Sequence, residues 1–138
     1  MFSKILLAYD GSDVADQAFG YAVDLAGRYQ APLIVLAIAR PPDFGDDVEL
    51  VAMLEKEEEG FQVQFARMRE LAIGAGIAAE FLCLVGHPTE QIVKYAEAHG
   101  VSLIIVGHRR RSLLERLFLG STSRGVLAHA PCAVMVVR

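Results

Sequence analysis

The sequence predicts an α/β protein: a single-domain, doubly wound, open sheet of five parallel strands with helices on both faces. Two observations carry this. Five short runs rich in Val, Ile and Leu are near-continuously apolar, as strands covered on both faces require. Between them lie stretches with apolar residues at spacings of three and four, each long enough for a crossover helix. A chain of 138 residues fits one domain spanning residues 1–138, since single domains commonly run to about 100 to 200 residues.

The first strand is Ile5–Tyr9. Ser12-Asp13 then caps a helix with Ala15, Ala18, Phe19, Ala22, Val23 and Ala26 on one face, leaving Asp16, Asp24 and Arg28 toward water. The second strand is Leu33–Ala39. The next crossover is longer: Leu50, Leu54, Phe61, Phe65, Met68 and Ala72 recur at helical steps and the pattern ends near Gly74 and Gly76, with Gly60 as a candidate interruption. Whether its acidic start, residues 43–59, is an ordered helix or a mobile flap is left open by the pattern. Phe81–Val85 is the third strand, followed by a helix that begins at Pro88, carries Ile92, Val93 and Ala96, and stops at Gly100. The fourth strand is Leu103–Val106. A last helix starts near Ser121 and ends before Pro131, and Ala133–Val137 closes the sheet.

Composition excludes several classes. Over half of the residues are apolar, 54%, and no low-complexity tract occurs, which rules against disorder. The net charge of −4 argues against a nucleic-acid binder, because such proteins carry a basic excess. The charge is unevenly placed, however. Residues 107–124 hold five arginines against Glu115, a net +4, while residues 43–59 hold eight acids against Lys56, a net −7. Such a layout suits a local anion site on an otherwise acidic protein. The first apolar run is too short for a signal peptide or a membrane span, so a cytoplasmic location without membrane contact is expected. Cys83 and Cys132 lack CxxC spacing and are expected to be buried, reduced thiols.

In open α/β sheets ligands bind beyond the carboxyl ends of the strands, where neighbouring connections run to opposite sides. That rule selects the loops at Asp10-Gly11-Ser12, Ala39-Arg40-Pro41, Gly86-His87-Pro88 and Gly107 onward. In the last of these, Gly107 follows the fourth strand, and without a Cβ it lets a ligand approach the main chain. Gly120-Ser121 opens a helix, whose N-terminal N–H groups and dipole favour phosphate, and Ser121 and Ser123 add hydroxyls. The plainer alternatives stand beside this: Gly107 turns the chain, Ser121 caps a helix, and Asp10 makes an Asx turn.

The stretches "KILLAYDGSDVADQAFGYAVDLA", "LVGHPTEQIVKYA" and "LIIVGHRRRSLLERLFLGSTSRGVLAHAPCAVMVVR" resemble the universal stress protein family. In its ATP-binding branch the signature is Gly, two residues, Gly, nine residues, then Gly with Ser or Thr. Gly107 matches the first position and Gly120-Ser121 the last two, while Arg110 stands at the middle glycine. The resemblance implies an adenine nucleotide alpha-hydrolase-like fold that binds ATP or another adenine nucleotide, with Mg2+ accompanying a triphosphate. It implies that Ala8, Tyr9, Ile38 and Val106 line an adenine pocket and that Asp10 faces the ribose. Phosphates would fall to Gly107, Gly120, Ser121 and the neighbouring groups of Thr122 and Ser123. Arg110 either crowds the ligand or grips phosphate with its guanidinium, and Arg109 is a further phosphate contact.

No GxxxxGK[ST] or GxGxxG string occurs, and His87, His99 and His129 read as surface or capping residues, so dedicated catalysis is not indicated. The expected protein is a sensor, not an enzyme: a stress-response regulator in which nucleotide occupancy is the signal. The alternatives are a protein of the same fold that acts through protein contacts alone, and a weak ATP hydrolase. The apolar last strand would need a partner if it lies at a sheet edge, and the family implies a homodimer through that strand. "SLLERLFLG" is a short amphipathic segment that packs on its own domain or on a regulatory protein partner.

Overall fold

The structure, a computed structural model, describes residues 1–108 and 119–138. In chain order its elements are β1 (Ile5–Tyr9), α1 (Asp13–Tyr29), β2 (Leu33–Ala39), α2 (Asp47–Gly74), β3 (Ala79–Val85), α3 (Pro88–His99), β4 (Leu103–Gly107), α4 (Ser121–His129) and β5 (Ala133–Val137). The strands form one parallel sheet in the order β3-β2-β1-β4-β5. The chain therefore winds outward from β1 through β2 to β3, then returns to β4 on the other side of β1. Right-handed crossovers running in opposite directions must lie on opposite faces, and the packing follows this rule.

The alternation of side chains along each strand sorts the core into two halves. Ile5, Leu7, Tyr9, Leu33, Val35, Ala37, Leu103 and Ile105 meet α1 and α2. Leu6, Ile34, Leu36, Ile38, Ile104 and Val106 meet Ile92 and Ala96 of α3 and Val126 of α4. β2 is buried along its whole length, which accounts for its uninterrupted apolar sequence.

Local chemistry sets the ends of the helices. The Ser12 hydroxyl accepts from the Ala15 N–H at 3.2 Å and caps α1, a contact typically worth about 1 kcal/mol. Asp46 caps α2 through the Glu49 N–H at 2.8 Å. Pro88 occupies the first turn of α3, and Gly100 ends that helix in the left-handed region at φ 66°.

Several expectations change in detail. β3 begins two residues earlier than its apolar run, and β4 extends to Gly107, which pairs with Val137. α2 runs through Gly60 without a break. A solvent-facing glycine costs about 1 kcal/mol there, too little to interrupt a 28-residue helix held by Phe61, Phe65, Met68 and Ala72. Of residues 43–59, offered as helix or flap, 47–59 are helix with Asp46 as cap, and 43–45 precede it without regular structure. The cysteines are half-buried, not fully buried, and free. Burial holds both thiols above their ordinary pKa, which disfavours the reactive thiolate.

Candidate functional site

At the carboxyl edge of the sheet, on the face covered by α3 and α4, Ala8, Leu36, Ile38 and Val106 form an apolar wall. Pro88 and Ile92 of α3 close one side and Gly107, Thr122 and Ser123 the other, around a cavity of about 100 Å³. This is the crevice between β1 and β4 where the winding reverses. Its volume is below the roughly 300–1,000 Å³ typical of small-molecule pockets, so it is sized for one ring system and not for a whole nucleotide.

α4 begins at the rim of the cavity. Gly120 is its N-cap, with extended backbone (φ −64°, ψ 164°), so Ser121 is the first helical residue and not the cap. Among the described residues no side chain caps this helix, and no acid lies in its first turn. α1 provides the contrast, because Ser12 caps it and Asp13 and Asp16 sit in its first turn. The dipole of α4 is therefore the less neutralised of the two. A Cβ built on Gly120 would meet nothing within 4 Å among the described residues. Neither its backbone angles nor its packing against the described residues demands glycine at this position.

Gly107 differs. A Cβ there would lie 3.0 Å from Val14 Cγ1 and 3.3 Å from the Ala15 nitrogen. The glycine lets β4 approach the first turn of α1, a reason that neither ligand approach nor a turn had suggested. Its carbonyl accepts from the Ser123 hydroxyl at 3.4 Å, and Ser123 is buried. Gly107 thus ties β4 to the N-terminal turns of both α1 and α4.

Asp10, at the exit of β1, makes the Asx turn: its Oδ1 accepts from the Ser12 N–H at 3.0 Å and the Ser12 hydroxyl at 2.6 Å. Tyr9 contributes to the cavity by its main chain, since its ring packs on the opposite face with Phe61 and Phe65. The Tyr9 hydroxyl donates to Asp16 Oδ1 at 2.7 Å, and an Arg67 guanidinium nitrogen donates to the same oxygen at 3.3 Å. Asp16 is accordingly half-buried and not free in water. Burial first, and then the hydrogen bond to Asp16 and its charge, push the phenol well above its ordinary pKa.

Of the residues singled out from sequence, Ala8, Tyr9, Asp10, Ile38, Val106, Gly107, Thr122 and Ser123 line one cavity, while Gly120 and the exposed Ser121 stand at the start of α4. Arg109 and Arg110 lie outside the described residues. Sequence reasoning passed over two lining residues, Leu36 and Ile92, while Pro88 stands in one of the loops it had selected. Leu36 was accessible from the two-residue period that places it beside Ile38. His108 was also passed over. It is 4% exposed, its N–H donates to the Val137 carbonyl at 2.7 Å, and its Nδ1 accepts from the Gly120 N–H at 3.4 Å. It thereby links β5 to the start of α4. No local signal in "VGHRRR" marks it as buried.

Residues 1–138 match the universal stress protein family. The chain belongs to this family. It is 35% identical over 153 residues to universal stress protein YxiE of Bacillus subtilis, with all of both chains covered. It is 36% identical over 139 residues, again with full coverage of both, to a universal stress protein of Thermus aquaticus. The solved universal stress protein UspA from Lactobacillus plantarum superposes with a TM-score of 0.90 at 28% identity, covering 99% of this chain and 98% of that one. Two more distant structures share the fold. A universal stress protein in complex with cAMP has a TM-score of 0.77 at 22% identity, covering 99% of this chain and 97% of its own. The Archaeoglobus fulgidus protein in complex with dAMP has a TM-score of 0.70 at 20% identity, covering 99% and 98%. Family members are in general stress-response proteins and not clear enzymes. Among the described residues, no helix is long and apolar enough to cross a membrane.

Proposed function

We propose that the chain binds an adenine nucleotide, ATP or another, at the β1/β4 crevice and acts as a homodimeric stress-response sensor in the cytoplasm. The observation that carries this reading is the adjacency of a ring-sized apolar cavity to a helix N-terminus that no described side chain caps and whose N-cap residue, Gly120, has open space beside it among the described residues. The adenine would rest on Ala8, Ile38 and Val106, with Leu36 completing the wall. The ribose would pass Asp10, whose Oδ1 already holds the turn. The phosphates, too large for the cavity, would lie outside it over Gly120, Ser121 and Thr122, where the dipole and N–H groups of α4 favour negative charge. Arg109 and Arg110 would add guanidinium donors. The cAMP and dAMP complexes support the capacity of this fold to hold adenine nucleotides.

Mg2+ would be held mainly by phosphate oxygens and water, as is usual for that ion. Among the described residues no three His, Cys, Asp or Glu side chains converge on a metal position. β5 lies at the end of the strand order, so its outer edge, unpaired among the described residues, would pair with the β5 of a second copy around a two-fold axis. Occupancy would be read by a regulatory protein partner.

Calorimetric titration of the nucleotide-stripped protein with ATP, with and without Mg2+, and with AMP and cyclic AMP, tests the reading. The expected result is one saturable site of micromolar affinity, about −8 kcal/mol, that Gly120→Glu abolishes by filling and charging the phosphate position. Absence of heat at millimolar ligand, or full binding by Gly120→Glu, overturns it. Arg110→Gly weakens binding if the guanidinium grips phosphate and strengthens it if the side chain crowds the ligand.

A further inference from the structure

The two halves of α2 have different surroundings. From Phe61 onward its inner face is buried among the α1 and β-sheet residues. Residues 47–60 contain no buried position. Gln64 already reaches Gly11 in the loop after β1, with its Oε1 3.3 Å from where a Cβ would stand. The preceding 14 residues, at about 1.5 Å per residue, therefore extend roughly 20 Å further along the axis.

This extension is not simply polar. Val48 is 79% exposed and Val51 53% exposed. Val48, Val51, Glu55 and Glu59 follow one another at steps of three, four and four, so they form one stripe that mixes apolar surface with negative charge. Among the described residues, nothing covers Val48 and Val51. Pairing two such stripes is opposed by charge, because residues 46–59 carry seven acids against Lys56. A suitable occupant must be both cationic and apolar.

The chain itself contains a segment of that chemistry. Residues 109–118, RRRSLLERLF, place four arginines against Glu115 and include Leu113, Leu114, Leu117 and Phe118. The other basic residues are scattered through the sequence. We propose that the residue 47–60 half of α2 is the docking surface for the arginine-rich segment, residues 109–118, of a second copy of this chain. Each copy carries both surfaces, so two identical contacts would close around a dyad separate from the β5 pairing. The opposite charges set the register and the exclusion of unlike partners, and the Val48/Val51 stripe supplies the apolar contact. Arg111 and Arg116 carry the tested charge, because the nucleotide reading assigns Arg109 and Arg110 to phosphate, and the contact is read in nucleotide-free protein.

The test is sedimentation of the full, nucleotide-free chain at low and high salt, about 0.05 and 0.5 M. Beyond the dimer paired through β5, the wild type is expected to associate further at low salt, and that further association to weaken about tenfold or more at high salt, as screened charge pairs do. Glu55→Lys/Glu59→Lys and Arg111→Glu/Arg116→Glu each bring like charges together, lose this salt-sensitive association and keep the β5-paired dimer. Mixed in equal amounts, the two variants regain it, because one contact of the mixed pair is native and the other has both charges reversed. Far-UV circular dichroism checks that each variant is folded. Val48→Ser/Val51→Ser, altered only at exposed helix positions, also weakens association and keeps the test decisive should an arginine variant fail to fold. A wild type without salt-sensitive association, a charge or valine variant that associates like wild type, or a mixture of folded variants no tighter than its components overturns the proposal.

Discussion

Gly107 and Gly120 belong to one sequence signature, yet the structure assigns them different reasons for being glycine, and alanine at each position separates those reasons. In Gly107→Ala the new methyl lies 3.0 Å from Val14 Cγ1 and 3.3 Å from the Ala15 nitrogen. Val14 can yield by rotating, but the α1 backbone, fixed by the Ser12 cap, cannot yield as easily. Overpacking of this kind costs about 1–3 kcal/mol. Backbone entropy acts the other way, since alanine in a strand is favoured over glycine by roughly 0.5–1 kcal/mol. The steric term wins, leaving a net destabilisation of about 1–2 kcal/mol. Gly120→Ala meets none of the described residues within 4 Å, at an ordinary φ, and against them loses only the preference for glycine over alanine at an N-cap, less than about 1 kcal/mol. Under the nucleotide reading its methyl intrudes where phosphate would sit and weakens binding about tenfold, equivalent to about 1.4 kcal/mol. Urea denaturation at constant slope measures the first quantity and calorimetric titration the second. A Gly107→Ala protein as stable as wild type, or more so, refutes the close-approach argument. Unchanged affinity in Gly120→Ala refutes the phosphate placement.

Two further predictions concern packing around the site. Tyr9→Phe removes the 2.7 Å hydrogen bond to Asp16 and should cost about 1–2 kcal/mol, at the lower end for a bond to a charged group because Arg67 still holds the carboxylate. The folded-state phenol is raised above its ordinary value near 10, so this contribution is complete below pH 10 and declines as pH rises beyond it. The stability gap between wild type and Tyr9→Phe should therefore narrow in alkaline denaturation curves, and a constant gap to about pH 11 would contradict the assignment. Gly125→Ala would place a methyl 2.6 Å from Thr89 Cγ2 and 2.7 Å from Thr89 Oγ1, where α3 and α4 meet. Overpacking should exceed the helix-propensity gain of about 1 kcal/mol, giving a net loss that Thr89→Ala largely reverses. Strict additivity in the double-mutant cycle would show that the two residues do not press on each other.

Much of this architecture could be read from local pattern. The runs at residues 5–9, 33–39 and 133–137 became strands with the expected limits because unbroken apolar runs fit strands buried on both faces. Ser12, Pro88 and Gly100 marked helix ends because capping chemistry acts within a few residues. The loops around Asp10 and Gly107 were accessible through the general rule for open sheets. His108 was not, because its burial comes from β5 and α4 packing around it and not from its neighbours in sequence. The same holds for the ring of Tyr9. Alternation places it opposite Ala8, but only the position of α2 makes that side a core containing Phe61 and Phe65.

The sequence by itself determined the kind and succession of the elements, the reversal of charge between residues 43–59 and 107–124, and the glycines that bracket the candidate site. These depend on composition, period and spacing, which act over a turn of helix or a single strand. Tertiary structure alone decided the order β3-β2-β1-β4-β5, the assignment of α1 and α2 to one face and α3 and α4 to the other, and the different roles of Gly107 and Gly120. The physical reason is that these features depend on which distant surfaces meet. A parallel pair joined by a crossover can form beside either neighbour, and a glycine's missing methyl acquires meaning only from what occupies the space next to it.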